Sequence, residues 1–177
     1  EKNISEFSKE GKMERRLINK IVRAMEFKSG NIVLLNFWGS EEELEDLYAF
    51  ASAVAEAGAY PQILHHSLKY YTQLFPSLSC EFPEKWFKQF EEVDVVIDIM
   101  NRAPGLVPEG LHDTSLYRAY IRGMFKCFSE KKKLIQITMP TKANAQNAEM
   151  DFDSLYKRTV RALDIDYKEL KGKCQER

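Results

Sequence analysis

"GNIVLLNFWGSEEELEDLYAFASAVAEAGAYPQIL", residues 30–64, decides the fold. Residues 31–38 form a short, almost continuously apolar run, as expected of a strand buried on both faces. Gly39-Ser40 breaks the run. Ser40 suits the N-cap of a helix, Glu43 stands at the capping-box position, and the acidic first turn complements the helix dipole. Gly58 ends the helix, and "YPQILHH" (residues 60–66) reads as a second strand. Two buried-type strands joined by a helix are the repeating unit of a parallel sheet.

The alternation continues on both sides. Upstream, Leu17, Ile18, Ile21, Val22 and Met25 fall on one face of a helix over residues 13–27, and Gly30 suits its left-handed stop. Downstream, a polar and aromatic stretch leads to "FPEKWFKQFEEV" (residues 82–93), where Pro83 can open a short amphipathic helix. "VDVVIDIM" (93–100) is a third strand, "NRAPGLVPEG" (101–110) a loop, and "DTSLYRAYIRGMFKCFSE" (113–130) a helix capped by Asp113 or Thr114. "KKLIQITM" (132–139) is a fourth strand, and residues 151–177 are helical in period with a break near 163–166. The expected fold is α/β: a Rossmann-like parallel sheet of about four strands, helices on both faces, and extra C-terminal helices. Residues 1–12 read as a tail, 13–163 as one α/β domain, and 164–177 as a helical linker toward a further, C-terminal domain.

Composition narrows the function classes. The 177 residues carry 26 basic and 27 acidic side chains, a balance that argues against a nucleic-acid binder. The one cationic run, Lys131-Lys132-Lys133, lies between a helix end and a strand, where it complements the helix dipole. Cys80, Cys127 and Cys174 are odd in number and widely spaced, the pattern of reduced thiols in a cytoplasmic protein. The charged N-terminus is no signal peptide, and no apolar run approaches the roughly 18 residues that span a bilayer. A soluble, cytoplasmic protein that touches neither membrane nor nucleic acid is expected.

Open parallel sheets bind ligands at the carboxyl ends of their strands. The relevant residues are 37–40, 65–67, 100–109 and 139–141. The first turn has one glycine where a dinucleotide fingerprint needs three, and Glu41, Glu42 and Glu43 would repel an anion. His65 and His66 are adjacent on a strand and point to opposite faces, so they do not chelate one metal, and His112 is isolated. Asp94 and Asp98 share a strand face. Asp98, Asn101 and Arg102 are candidates for a polar cluster, set against an ordinary salt bridge or loop cap. Neither a GxSxG nucleophile elbow nor an HExxH motif occurs. Tyr70, Tyr71, Phe75, Trp86, Phe87 and Phe90 suit core packing or, through Tyr70, Tyr71 and Trp86, a partner surface. These residues identify no catalytic group and no metal ligand.

The C-terminal third carries a further pattern, "KKLIQITMPTKANAQNAEMDFDSLYKRTVRALDIDYKELKGKC" (residues 132–174). A strand runs into the Pro140-Thr141 turn, then small residues (Ala143, Ala145), then an acidic and aromatic helix start (Met150, Asp151, Phe152). Asp166, Tyr167 and Leu170 follow in "LDIDYKELKGKC". This resembles the end of the N-terminal domain of the aminopeptidase T (thermophilic metalloaminopeptidase) family, and residues 30–64 resemble that family's first strand-helix-strand unit. The resemblance covers the chain from Met13 onward. It implies a noncatalytic N-terminal domain of a peptidase that removes N-terminal residues from peptides. Two divalent metal ions, zinc, cobalt or similar, would be held by Glu, His and Asp of a C-terminal catalytic domain, and no ligand maps onto this chain. Asn101, Arg102, Pro140 and Thr141 would then line the substrate cleft. The C-terminal domain and the peptide substrate are the implied partners, and the apolar face of the last helix with Cys174, lacking that domain's cover, favours a homodimer. The alternatives are a stand-alone domain binding a small molecule or nucleotide near Gly39, Asn101 and Thr141, or an interaction module.

Overall fold

The computed structural model describes residues 13–129 and 133–175. The expected tail, Lys131 and Lys132 of the cationic run, and the last residues of the linker lie outside these. In chain order the elements are α1 (Arg15–Ala24), β1 (Ile32–Trp38), α2 (Leu44–Glu56), β2 (Tyr60–His65), α3 (Leu68–Leu74) and α4 (Glu84–Lys88). They continue as β3 (Val95–Met100), α5 (Ser115–Ser129), β4 (Leu134–Thr138), α6 (Lys142–Asn147), α7 (Phe152–Leu163) and α8 (Tyr167–Gln175). The four strands form one all-parallel sheet in the order β2-β1-β3-β4. This is the α/β architecture expected from the alternation, with its extra C-terminal helices.

Strand pleat divides the core in two. Val33, Leu35 and Phe37 of β1 and Val95, Ile97 and Ile99 of β3 pack against α1 and α2, with Val160 and Leu163 of α7 beside them. Leu34 and Val96 point the other way, into an aromatic layer built from Tyr71, Phe75, Phe90, Tyr117 and Tyr120. β1 connects leftward to β2 through α2 on the first face, and β3 connects rightward to β4 through α5 on the second. Right-handed crossovers require this alternation of faces. The strand order therefore reverses between β1 and β3, which places the topological switch point at Trp38 and Met100, a paired register position.

Local signals explain most boundaries. The Ser40 amide donates to Glu43 Oε2 at 2.7 Å, though residues 41–43 form a 3-10 turn before α2 proper begins. Gly58 ends α2 at φ +84°, where a side chain would be strained. Thr141 and Asp151 cap α6 and α7 through the amides of Asn144 and Ser154. The stretch after β2, read from the sequence only as polar and aromatic, holds α3, capped by Ser67, whose side chain accepts from the Tyr70 amide. Among the described residues, no helix is long and apolar enough to cross a membrane.

Gly39 answers a steric demand. A Cβ there would lie 2.2 Å from Cζ of Phe37, a ring with no solvent exposure and no room to yield. Gly39→Ala should cost about 1–3 kcal/mol in chemical denaturation, the usual range for overpacking. The same change in a Phe37→Leu background should cost measurably less, and equal costs in both backgrounds would refute the ring contact.

Candidate functional site

Three segments meet at the carboxyl ends of β1, β3 and β4. The amides of Asn101 and Arg102 both donate to the Trp38 carbonyl, at 2.9 and 3.1 Å, which fastens the loop after β3 to the end of β1. Thr141 Oγ1 donates to the Asn101 carbonyl at 2.6 Å while accepting from the Asn144 amide. Asn144 Nδ2 donates to the carbonyls of Met100 and Met139, at 2.9 and 2.8 Å. Pro140 is buried at the end of β4, where its ring stops the ladder. Asn101, Arg102, Pro140 and Thr141 thus belong to one strand-end constellation.

The side chains of Asn101 and Arg102 turn toward the α2 side. Arg102 Nη2 reaches Glu43 Oε2 at 3.4 Å, and Asn101 Nδ2 reaches Asp46 Oδ2 at 3.2 Å. Asp98 does not join them, so the candidate cluster of Asp98, Asn101 and Arg102 separates into two arrangements. Asn101 Oδ1, Arg102 Nε and Trp38 Nε1 are buried without a hydrogen-bond partner among the described residues. Such atoms are uncommon in folded proteins, and here three of them lie at the switch point. The nearby turn is otherwise saturated. His65 Nε2 bonds the Gly39 carbonyl at 2.9 Å, and Ser67 Oγ donates to Glu41 Oε1. The Ser67 bond holds the Glu41 carboxyl below the usual carboxylate range.

Asp98 instead anchors a buried polar chain across the second sheet face. Its carboxylate accepts from Asn36 Nδ2 at 2.6 Å and from Gln136 Nε2 at 3.1 Å. With Asn36 donating through Nδ2, its Oδ1 accepts from His66 Nε2 at 2.6 Å. His66 Nδ1 must then accept, and it faces the Tyr71 hydroxyl at 2.7 Å. The Tyr71 oxygen in turn faces the Tyr120 hydroxyl at 3.1 Å. Trp38 stacks flat on the His66 ring, with centroids 3.7 Å apart and planes 6° apart. Burial, helped by the neighbouring His65, lowers the His66 pKa to about 3, so the ring is neutral. Burial also raises Tyr71, and it pushes Tyr120 up to about 12.

This chain reassigns several sequence candidates. His66 is a core residue, on the face opposite His65. Tyr71 is buried beneath it, and Trp86 is half-buried among Phe82, Phe87, Phe90 and Tyr120. Of the three proposed interaction aromatics, only Tyr70 offers most of its ring to solvent, at 54% exposure. Asn36 was not singled out from the sequence. A lone polar residue inside "IVLLNFW" was the available signal. Among the described residues, no three His, Cys, Asp or Glu side chains group as metal ligands.

No known family's sequence profile matches the chain. No curated protein matches it in sequence. Among solved structures, wild-type AmpT from Thermus thermophilus is similar in fold, with a TM-score of 0.55 at 14% identity. The similarity covers 84% of this chain and 43% of that one, so this chain spans less than half of the protein it resembles.

Neutral His66 makes stability depend on pH. Its folded pKa lies below the unfolded value of about 6.5, so protonation favours the unfolded state. Stability should be level above about pH 6.5 and should fall by up to roughly 1.4 kcal/mol per pH unit as pH drops toward the folded pKa. His66→Phe keeps a ring against Trp38 but strands Asn36 and Tyr71, at a cost of roughly 2–4 kcal/mol at pH 7. Urea titrations between pH 7 and 5 should show a shallower slope for the variant, and parallel slopes would remove His66 from this role.

Proposed function

We propose that this chain is a noncatalytic α/β domain of a metal-dependent aminopeptidase-like protein, forming one wall of its peptide cleft. The observation that carries this reading is the switch-point constellation on a fold similar to AmpT. Asn101 and Arg102 are clamped to Trp38 and Thr141 there, with unpartnered polar atoms among them. Arg102 keeps 23% of its side chain exposed and offers its guanidinium to a peptide carbonyl, while the buried Asn101 holds the loop from beneath. Thr141 and Pro140 set the backbone of that wall and hold no reacting atom.

On this reading the two divalent metal ions, zinc, cobalt or similar, are held by Glu, His and Asp of a further, C-terminal domain, which supplies the hydrolytic chemistry. Charged strand-end residues in this chain are engaged as caps or ion pairs: Glu43 with Ser40 and Arg102, Glu41 with Ser67. The reading places the protein in the cytoplasm, in keeping with three cysteines that form no disulfide. A nucleotide-binding alternative is weakened at the first turn, where Glu43 already occupies the Ser40 amide and Phe37 accounts for Gly39.

Titrating ¹⁵N-labelled chain with the tripeptide Leu-Gly-Gly should shift the amides of Asn101, Arg102 and Thr141 most. Arg102→Ala should weaken that binding by about tenfold, the scale of one hydrogen bond from a charged donor. Hydrolysis of leucine p-nitroanilide by this chain alone with added zinc or cobalt would overturn the noncatalytic assignment. Saturable ATP binding at residues 39–43 would favour the nucleotide alternative.

A further inference from the structure

The two edges of the sheet are built differently. On β2, the Tyr60 amide bonds the Asn31 carbonyl and the His66 amide bonds the Phe37 carbonyl. In a parallel ladder alternate residues bond the same neighbour, so residues 61, 63 and 65 face the free edge. Pro61 stands there and removes an outward N–H, a common protection against unwanted strand pairing. On β4, the Lys133 carbonyl accepts from the Val96 amide and the Met139 amide donates to the Met100 carbonyl. Residues 134, 136 and 138 therefore turn their N–H and C=O groups outward. β4 reads LIQIT, with neither proline nor charge, and Leu134 is 41% exposed. Among the described residues no strand covers this edge.

A groove of about 910 Å³ runs beside that edge, between the end of α1, β4 and α8. Its floor is apolar, with Ile21, Ile135, Leu163 and Leu170 contributing. Its rim is cationic: Lys20, Arg23, Lys133, Lys168 and Lys171 line it, against the carboxylates of Glu26 and Asp166. Lys20 is tied to Asp164 and Lys171 to Glu26, while Lys133 Nζ donates to the Met25 carbonyl. Arg23 and Lys168 have no ion-pair partner among the described residues, and the rim keeps a net positive charge.

We propose that this groove and the outer edge of β4 form a docking site for an extended, acidic segment of a partner protein, added as a fifth strand. The open N–H and C=O groups of residues 134, 136 and 138 would supply the ladder, and the rim cations would select acidic side chains. Charge complementarity also decides against a second copy. Pairing β4 with β4 about a two-fold axis would set five cations opposite five, and the LIQIT strand offers no acid. The last helix, on whose exposed face the expectation of a homodimer rests, lines this same groove through Leu170 and Cys174. An acidic segment is the better cover for it. The inference is independent of the peptide cleft at the strand ends, and either can fail without the other.

The probe is a fluorescein-labelled seven-residue peptide alternating glutamate and valine, titrated into the full chain by anisotropy. A peptide alternating lysine and valine serves as control. The acidic peptide should saturate, and the basic one should bind at least about tenfold more weakly. Arg23→Glu with Lys168→Glu should weaken the acidic peptide by about tenfold or more. Leu134→Pro, at the first residue of an edge strand where proline is tolerated, should weaken it without changing the charge. Hydrogen exchange at the amides of Leu134, Gln136 and Thr138 should slow in the complex, which reads the ladder directly even if a variant folds poorly. Absence of saturation, equal binding of both peptides, or unchanged exchange at these amides would each overturn the proposal. So would concentration-dependent self-association of the peptide-free chain through β4.

Discussion

Asn36 and Asp98 sit opposite each other on the two central strands and share a 2.6 Å hydrogen bond in the interior of the sheet. Polar groups there are costly unless satisfied, and satisfying this pair recruits partners from most of the second face. Gln136 arrives from β4, His66 from the end of β2, Tyr71 from α3 and Tyr120 from α5. Each partner fixes the placement of its own element. A one-residue slip of β3 against β1 would move Asp98 to the other face and leave Asn36 Nδ2 and Gln136 Nε2 without their acceptor. The chain of bonds therefore specifies strand register and helix docking together, where the apolar contacts alone would tolerate alternatives.

The first face has no such chain; it is apolar from Val33 to Ile137 and is tied at its margin by ion pairs. Lys20 and Arg16 meet at Asp164 and hold its carboxyl below the usual range, the Lys20 hydrogen bond being the larger cause. These pairs join α1 to the end of α7. Being exposed or only partly buried, they orient the helices more than they stabilise them. One face is thus specified by hydrogen bonds and the other by packing. The margin of the packed face is where the sheet keeps an uncovered edge.

Short-range features were the legible ones. The strand, helix and strand of residues 30–64, the Ser40–Glu43 cap and the break between α7 and α8 were each marked by local sequence pattern. α3 was not legible, because its seven residues are too short for a helical period and its tyrosines suit a loop as well. The His66 network was illegible for a different reason: its bonds span 30 residues to Asn36 and, through Tyr71, a further 49 to Tyr120. The Arg102–Glu43 pair spans 59. Strand-end placement singled out Asn101 and Arg102. Which carboxylate each would meet depended on a sheet order that β1 and β3 acquire only in the fold.

A shared fold fixes where a site can lie and leaves open what it does. Glu43 is held by Ser40 and Arg102, Glu41 by Ser67, and Asp98 lies beneath Asn36 and Gln136. Thr141 is fixed by two hydrogen bonds, one accepted and one donated. On the proposed reading, the partly exposed Arg102 guanidinium, with 23% of its side chain open to solvent, meets a peptide group at this wall. Rigid, pinned walls position a substrate well because they need no reorganisation when it arrives. On the proposed reading, the same pinning makes these residues suitable as the stationary side of a cleft.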